Sequence, residues 1–567
     1  MKKILALLLI LSLVLGSALC ASAEGLEMSD IPGMTAAGVL PIVTEPVTIT
    51  FAFAPNAAVS DFHDNKWTLW LEENTGITID FMALPSENPG QKLELMIASH
   101  EKLADVIDGN RISNANLYNY YIDGILLPLD EYAEKYSFYL QELIDNYYEG
   151  GNTEWDNIIA LCRTFDGAWL KFPSTYCDPT NRFNPGSVLW LRDDWVAQWN
   201  ADGKSPETVD ELYDFLVFCR DNDVNGNGDP SDEIGLVGGT GAILNAFCTY
   251  SKWQDAYINV DADGNVFMPQ VTDNYKHALE YLNKLYTEGL LSSQAFTADS
   301  AQLKAICTVD DPKEAIAAGF QNHPTSFLDS PVYRNQYNFA WPLTSDEYPL
   351  HYIEVPQYQS STMIITSDSE HPEVAFRLLD YTCEYETMIR SRWGAPGEDF
   401  EWIDDPENYE PLYPWSGAPV IYKVINNPWA INPSNMIWKI DRFPNLPAIL
   451  MAARPSTTIY DPEDPDYDAD KAGYSLKSIG LQALAHEDGG ATSPEQTQTI
   501  IYTEDEENEI MDIANSIVTY VEECQTRFIL GEMDIANEWD SYIATIDAIG
   551  YEEYMKVVQD AYDRMYK

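Results

Sequence analysis

Hydrophobic and polar positions alternate from Val47 to Ala54 (Val-Thr-Ile-Thr-Phe-Ala-Phe-Ala), the period-two signature of a strand. Helical spacing takes over in the stretch carrying Trp67, Leu69, Trp70 and Leu71. Thr78 to Met82 predicts a second strand, Gln91 to Ser99 a helix, and Ala104 to Ile107 a third strand. Strands that alternate with helices build a largely parallel sheet. Ligands of such sheets sit beyond the carboxyl ends of the strands. That logic picks out Pro55 and Asn56 after the first strand, and Asp108, Gly109 and Asn110 after the third.

A second α/β unit begins near Ser187-Val-Leu-Trp-Leu-Arg192 and runs into a helix from Val209 to Arg220, with Thr208 as its cap. Glu233 to Val237 predicts a strand and Asn274 to Glu288 an amphipathic helix. Glu314 to Phe320 leads into the polar loop Gln321-Asn322-His323. Ser361 to Thr366 predicts another strand, and His371-Pro372-Glu373 opens a helix with proline near its first position. Residues 403–425 and 455–473, rich in Pro, Asp and Tyr, predict long surface excursions. Three C-terminal segments are helical: Glu507 to Ile529, Ala536 to Ile549 and Tyr551 to Tyr566.

Between the helix ending at Arg220 and the strand starting at Glu233 lies the densest run of oxygen donors in the chain. Counted from Asp221 as position 1, Asp221, Asp223, Asn225, Asp229 and Asp232 occupy positions 1, 3, 5, 9 and 12 of an EF-hand-type loop. Gly226 stands at position 6, where the turn is sharpest, and the carbonyl of Asn227 at position 7. Position 12 is Asp rather than Glu, with Glu233 beside it. The pattern predicts a bound calcium ion; the same residue types also favour a plain solvated turn.

The N-terminus changes the setting. Lys2 and Lys3, the apolar run Ile4 to Leu15 and Ala21-Ser22-Ala23 read as a secretory signal peptide cleaved before Glu24. Cys20 raises a lipoprotein alternative, for which Leu19 is a poor preceding residue. With a formal charge of -59, the chain excludes nucleic acid as a partner and disfavours anionic lipid. After Cys20 the cysteines number seven, widely spaced and without a CxxC pair, so they form neither a disulfide scaffold nor a thiolate metal site. Buried thiols are expected, with a Cys162–Cys177 pair as the alternative. The 15 Trp and 35 Tyr supply flat faces in excess of what a core needs, which suits sugar rings.

Leu189-Trp-Leu-Arg-Asp-Asp-Trp195, Thr208 to Tyr213 and the Asp223 to Ile234 loop form one ordered set of segments. Ser367 to Tyr381 with Trp393-Gly-Ala-Pro-Gly397 forms another, and Arg527 to Gly531 through Trp539 to Arg564 a third. Taken together they resemble the extracellular solute-binding proteins of bacterial ABC transporters, in the large oligosaccharide-type branch of Gram-positive bacteria. The resemblance implies a two-lobed α/β periplasmic-binding-protein-like (type II) fold with a hinge cleft and a helical C-terminal region. The expected division is 1–23 signal peptide, 24–45 flexible leader, 46–180 with 325–400 as lobe 1, 181–324 with 401–505 as lobe 2, and 506–567 as C-terminal helices.

The implied function is capture of a carbohydrate, an oligosaccharide, outside the cell and delivery to a membrane permease by a monomeric, non-catalytic protein. Strand-end position selects Asn56, Asp108 and Asn110 for the ligand. Local context adds Tyr250 and Trp253 in a Tyr-Ser-Lys-Trp loop, Gln321 and Asn322, and Trp393 beside a Gly-Pro turn. Trp190, Trp195 and Trp539 fit the core better. An exported glycoside hydrolase or polysaccharide lyase is the main alternative, since those enzymes also combine aromatics, acids and calcium. A peptide-binding surface protein is the second. No Gly-x-Ser-x-Gly, His-Glu-x-x-His or phosphate-loop motif appears.

Overall fold

The structure, a computed structural model, describes residues 26–53, most of 61–147 and 162–175, 183–184, most of 189–250, 258–296, 318–320, 337–339, most of 342–348, 353–354, 360–409, 420–425, 500 and 502–567. Contacts divide the chain into two compact units: Met1–Asp178 with Gln357–Pro406 and Val420–Arg454, and Pro179–Pro356 with Glu407–Pro419 and Pro455–Lys567.

In chain order the first unit supplies β1 (Val47–Phe53), α1 (Lys66–Thr75), β2 (Ile77–Ala83), α2 (Pro89–Ala98), β3 (Val106–Asp108), α3 (Asn114–Ile122), α4 (Asp130–Tyr136), α5 (Tyr139–Tyr147) and β4 (Phe172–Thr175). The second supplies β5 (Phe183–Asn184), β6 (Leu189–Arg192), α6 (Asp193–Trp199), α7 (Val209–Asp221), β7 (Leu236–Val237) and α8 (Thr240–Leu244). It continues with β8 (Asn259–Val260), β9 (Val266–Phe267), α9 (Asp273–Thr287), β10 (Ala318–Phe320), β11 (Tyr337–Phe339) and β12 (Ile353–Glu354). The chain then returns to the first unit for β13 (Ser360–Ile365), α10 (Pro372–Tyr381), α11 (Tyr385–Trp393), β14 (Phe400–Trp402) and β15 (Tyr422–Val424). It finishes in the second with α12 (Glu504–Leu530), α13 (Ile535–Ile549) and α14 (Tyr551–Tyr566).

The first unit is built on a five-stranded sheet in the order β2-β1-β3-β13-β4. The alternation that predicted β1 puts Ile49 and Phe51 inside, and β1 runs parallel to both β2 and β3. β13 enters antiparallel to β3, pairing Met363 with Asp108 and Ile365 with Val106. Asn65 caps α1 by accepting the Trp67 N–H at 2.9 Å. Gly76, in the left-handed region at φ 73°, ends the helix and turns it into β2.

Residues 26–45, expected as a flexible leader, form a folded strap on this unit instead. Met34, Thr35, Ile42 and Val43 are buried, and bridges join Met28 to Thr35 and Met34 to Val43. The buried Arg377 of α10 donates to the carbonyls of Thr35 (2.7 Å) and Val39 (3.1 Å), and Tyr139 O–H donates to Gly38 O (3.2 Å). Val43 N–H reaches Thr75 O at the end of α1, so the strap lies at the edge of the sheet where the parallel strands begin. One turn along α10, the buried Asp380 accepts the N–H groups of Phe138, Tyr139 and Leu140 at 3.0–3.2 Å. A carboxylate from a distant helix thus caps the start of α5. Burial pushes its carboxyl up to about 6, against the pull of those three N–H groups.

The second unit holds a four-stranded sheet in the order β11-β6-β10-β7. β6 is antiparallel to both neighbours, and β10 is parallel to β7. Thr208 caps α7 as expected, its hydroxyl accepting the Glu211 N–H at 3.1 Å. Among the described residues of the predicted 233–237 strand, Leu236 and Val237 pair. The C-terminal helices are not a separate region: Ile517, Val521, Cys524 and Phe528 of α12 share one core with Leu279, Leu282 and Leu285 of α9. Asn283 of α9 donates to the carbonyls of Phe528 and Ile529 at 3.2 and 3.1 Å, satisfying the end of α12.

Two expected boundaries move. Residues 325–356 join the second unit, where β11 pairs with β6, rather than lobe 1. Residues 401–406 and 420–454 join the first, because β14 and β15 form a hairpin next to α11. Trp190, Trp195 and Trp539 are core residues, at most 7% exposed. Cys162, Cys219, Cys383 and Cys524 are buried free thiols, and Cys177 lies outside the described residues. Burial pushes the Cys162 thiol up to about 12.

Candidate binding residues and the calcium loop

At the carboxyl end of the first unit's sheet, the described residues are mainly apolar. Phe53, Phe62 and Phe81 form a cluster with ring centroids 4.6–5.7 Å apart. His63 stands edge-on to Phe81 and meets Asp80 at 3.1 Å. Hydrogen bonds from His63 and the Phe81 N–H hold the Asp80 carboxyl below its ordinary value. Asp108 ends β3 fully buried, followed by Gly109. Its position is the one the strand-end argument selects. Asn56 and Asn110 lie outside the described residues.

The candidates chosen by local context fare differently. Trp393, expected beside the ligand, is 3% exposed and gives its indole N–H to Tyr422 at 3.0 Å. It packs between α11 and the β14–β15 hairpin, and the Gly-Pro turn beside it serves the hairpin. Tyr250 is half-buried in the second unit. Its ring stacks on Tyr275 at 6.2 Å and its hydroxyl donates to Gln525 at 3.1 Å. Tyr275 donates to the same Gln525 oxygen at 2.6 Å, so Tyr250 is part of an aromatic–amide packing group against α12. Trp253, Gln321 and Asn322 lie outside the described residues.

One functional-looking motif proves architectural. Arg192, 2% exposed at the end of β6, donates two hydrogen bonds to Asp194 at 2.8 and 2.7 Å. Its guanidinium also lies 5.1 Å from the Trp195 ring and 5.8 Å from that of Tyr337. Burial opposes its charge, yet Asp194 and Tyr337 raise it overall. The Leu-Arg-Asp-Asp-Trp run is therefore a strand-to-helix joint. Its fork geometry requires arginine rather than lysine.

The loop predicted to hold calcium keeps its glycine turns. Asp221 is the last residue of α7, and its carboxylate is held by the Arg220 guanidinium at 2.8 and 3.1 Å. That partner holds the carboxyl below its ordinary value. Asp223 is the centre of the turn: its two oxygens accept the N–H groups of Gly226, Asn227 and Gly228 at 2.8–3.0 Å. Asn225 accepts from Asn227 N–H, Asn227 from Asp229 N–H, and Glu233 from Asn225 N–H. Gly226 and Gly228 have φ of 74° and 96°, which a side chain would resist. Asp232 lies outside the described residues. No group of three or more His, Cys, Asp or Glu is gathered as a metal site among the described residues. The oxygens that organise the turn are the side-chain amides of Asn225 and Asn227 and the carboxylates of Asp223 and Glu233, all hard donors. No helix among the described residues is long and apolar enough to cross a membrane.

A family model described as bacterial extracellular solute-binding protein matches residues 54–382. The fructooligosaccharide ABC transporter substrate-binding protein FusA of Streptococcus pneumoniae is 23% identical over 516 residues, 87% of this chain and 86% of its own length. The solved structure of FusA with kestose is similar at a TM-score of 0.69 and 20% identity, covering 92% of this chain and 99% of that one. A FusA EF-hand mutant with fructo-nystose gives 0.67 at the same coverage. An HMO-binding solute-binding protein from Bifidobacterium longum infantis, 16% identical, also gives 0.67, with coverage of 92% and 99%.

Proposed function

The chain belongs to the bacterial extracellular solute-binding proteins, and on that premise we propose that it captures an oligosaccharide and delivers it to the permease of an ABC transporter. The observation that carries this reading is the near full-length similarity to FusA, a protein named for fructooligosaccharides. The composition agrees, since a strongly acidic, aromatic-rich chain suits a neutral polyhydroxylated ligand. Asp108 at the buried end of β3 is a polar contact proposed for the sugar, together with Asn56, Asn110, Trp253, Gln321 and Asn322. The protein binds and does not transform its ligand.

A thermal-shift screen of neutral oligosaccharides against peptides tests the reading, because a ligand that prefers the native state raises its melting temperature. A rise with one glycan class is expected. A rise with peptides alone, or steady release of reducing ends from a glycan, would overturn it.

Calcium fits the same protein as a structural ion. We propose that Asp223, Asn225, Asn227, Asp229 and Glu233 hold it, with Asp232 completing the set and Asp221 left to Arg220. Calcium would replace the mutual repulsion of these carboxylates with a shared charge partner. Chelation is expected to lower the melting temperature, and Asp223→Asn to abolish the difference between calcium and chelator. Identical curves for the wild-type protein in both conditions would refute it.

A further inference from the structure

The backbone of the second unit shows which end of its sheet faces a ligand. β7 and β10 run parallel, so their carboxyl ends lie together at Val237 and Phe320, and Gln321 and Asn322 follow directly. Residues 290–292 run beside β7 in the same direction, with Leu236 N–H bonding Leu290 O and Ser292 N–H bonding Leu236 O. α9 leads into that segment. Its last turn therefore lies at the amino end of β7, and its first turn, with Tyr275, on the carboxyl side. α7 agrees, since it ends shortly before β7 and starts at Val209, whose N–H bonds Thr344 O. Tyr348, a few residues beyond Thr344, shares a 2.7 Å hydroxyl–hydroxyl hydrogen bond with Thr249. Thr249 and Tyr250 thus stand at the ligand end.

Tyr250 is held there at both its backbone and its ring. Its N–H bonds the Asn245 side chain at 2.8 Å, and the buried Asn259 donates to the Thr249 carbonyl at 2.7 Å. Its hydroxyl and that of Tyr275 converge on one oxygen of Gln525, and the two rings lie within 12° of parallel. Tyr275 is fully buried, whereas Tyr250 is half-buried and keeps part of its surface exposed. A ring so backed and pinned gives up little conformational freedom when a ligand settles against it. Its apolar body and polar tip match the mixed faces of a sugar.

Resting on the oligosaccharide reading, we propose that Tyr250 contacts a sugar ring of the ligand and that Gln525 of α12 is a positioning residue, fixing the phenol in place. The C-terminal helix then takes part in recognition without touching the ligand. Tyr275 supplies the backing face and no contact of its own.

Calorimetric titration of the full chain tests it, with neutral trisaccharides of glucose, galactose and fructose, each alone and well below the melting temperature. For a trisaccharide that the wild-type protein binds, Tyr250→Phe and Gln525→Met are each expected to weaken binding several-fold. The double variant is expected to lose no more, because both changes remove the same hydrogen bond. Tyr250→Ala removes the ring and is expected to abolish binding. Gln525→Glu keeps an acceptor oxygen and is expected to retain near-wild-type affinity. Tyr275→Phe takes the other donor from Gln525 inside the core, so it is expected to lower the melting temperature and leave affinity unchanged. Wild-type affinity in both Tyr250→Phe and Gln525→Met would overturn the proposal while the oligosaccharide reading stands. So would affinity losses that track melting temperature across all the variants, Tyr275→Phe included. Binding of no trisaccharide by the wild-type protein counts against that reading itself, and this inference falls with it.

Discussion

Asp380 shows how one buried carboxyl sets a pH response. Its ordinary value is 3.8 and its value in the fold is about 6. Between those limits the folded protein keeps a proton that the unfolded chain releases. The contribution to stability is therefore complete below about pH 4 and is lost as pH rises through about 6. Asn at this position cannot ionise. The stability gap between wild type and Asp380→Asn, from urea unfolding, is expected to shrink between pH 4.5 and 7. A gap that widens with pH would mean that the three N–H donors, not burial, dominate the site. The neighbouring Arg377, itself buried, bonds two backbone carbonyls, so Arg377→Met is expected to cost about 2 kcal/mol. Neither role was visible in the sequence, where Arg377 and Asp380 are ordinary members of an amphipathic helix.

At the scale of elements, legibility followed the range of the contacts. β1, the Thr208 cap and the α9 periodicity depend on neighbours a few residues away, and all three were readable. The strap was not, because its hydrogen bonds run from Thr35 to Arg377 and from Gly38 to Tyr139. Lacking either a helical or a strand period, residues 26–45 resemble a linker when taken alone. Trp393 misled for the opposite reason: the Gly-Pro turn beside it signals a turn correctly, but says nothing of which way the indole faces. Asp221 fitted the loop count, yet its charge was already committed to the adjacent Arg220. Gly38 offers a direct check on the strap. At φ 77° it is left-handed, and a β-carbon would sit 2.8–2.9 Å from the Phe138 ring. Gly124 has a similar φ of 71° with open space around it. Gly38→Ala is expected to lose clearly more stability than Gly124→Ala, for which the backbone term alone is about 1 kcal/mol. Equal losses in thermal unfolding would show that the strap yields without resistance.

For the whole molecule, the family, the two α/β units and the repeated crossing of the chain were legible, while the boundaries were not. A segment's unit is decided by its distant partners: β11 pairs with β6, and the β14–β15 pair meets α11 through Tyr422 and Trp393, while β11 and β14 are three-residue strands with no distinctive pattern. The C-terminal helices carry the same lesson. Their apolar faces announce burial but not against what, and the answer is α9, more than two hundred residues earlier. Deleting residues 504–567 strips the cover from Leu279, Leu282 and Leu285 and is expected to abolish cooperative folding of the second unit. Limited proteolysis reads this as a fragment ending near residue 178 or as general degradation. Survival of residues 189–296 as a resistant core would contradict the shared-core description.

The strap has a mechanical consequence. Backbone pairing holds the chain from Glu27 onward, so any attachment at Cys20 would leave a leash of seven residues, at most about 25 Å when fully drawn out. Tension on that leash would reach Arg377 and α10 before it reached β1. It would enter at the edge where the parallel strands begin, and Asp108, at their far ends, would be pointed away from the anchorage.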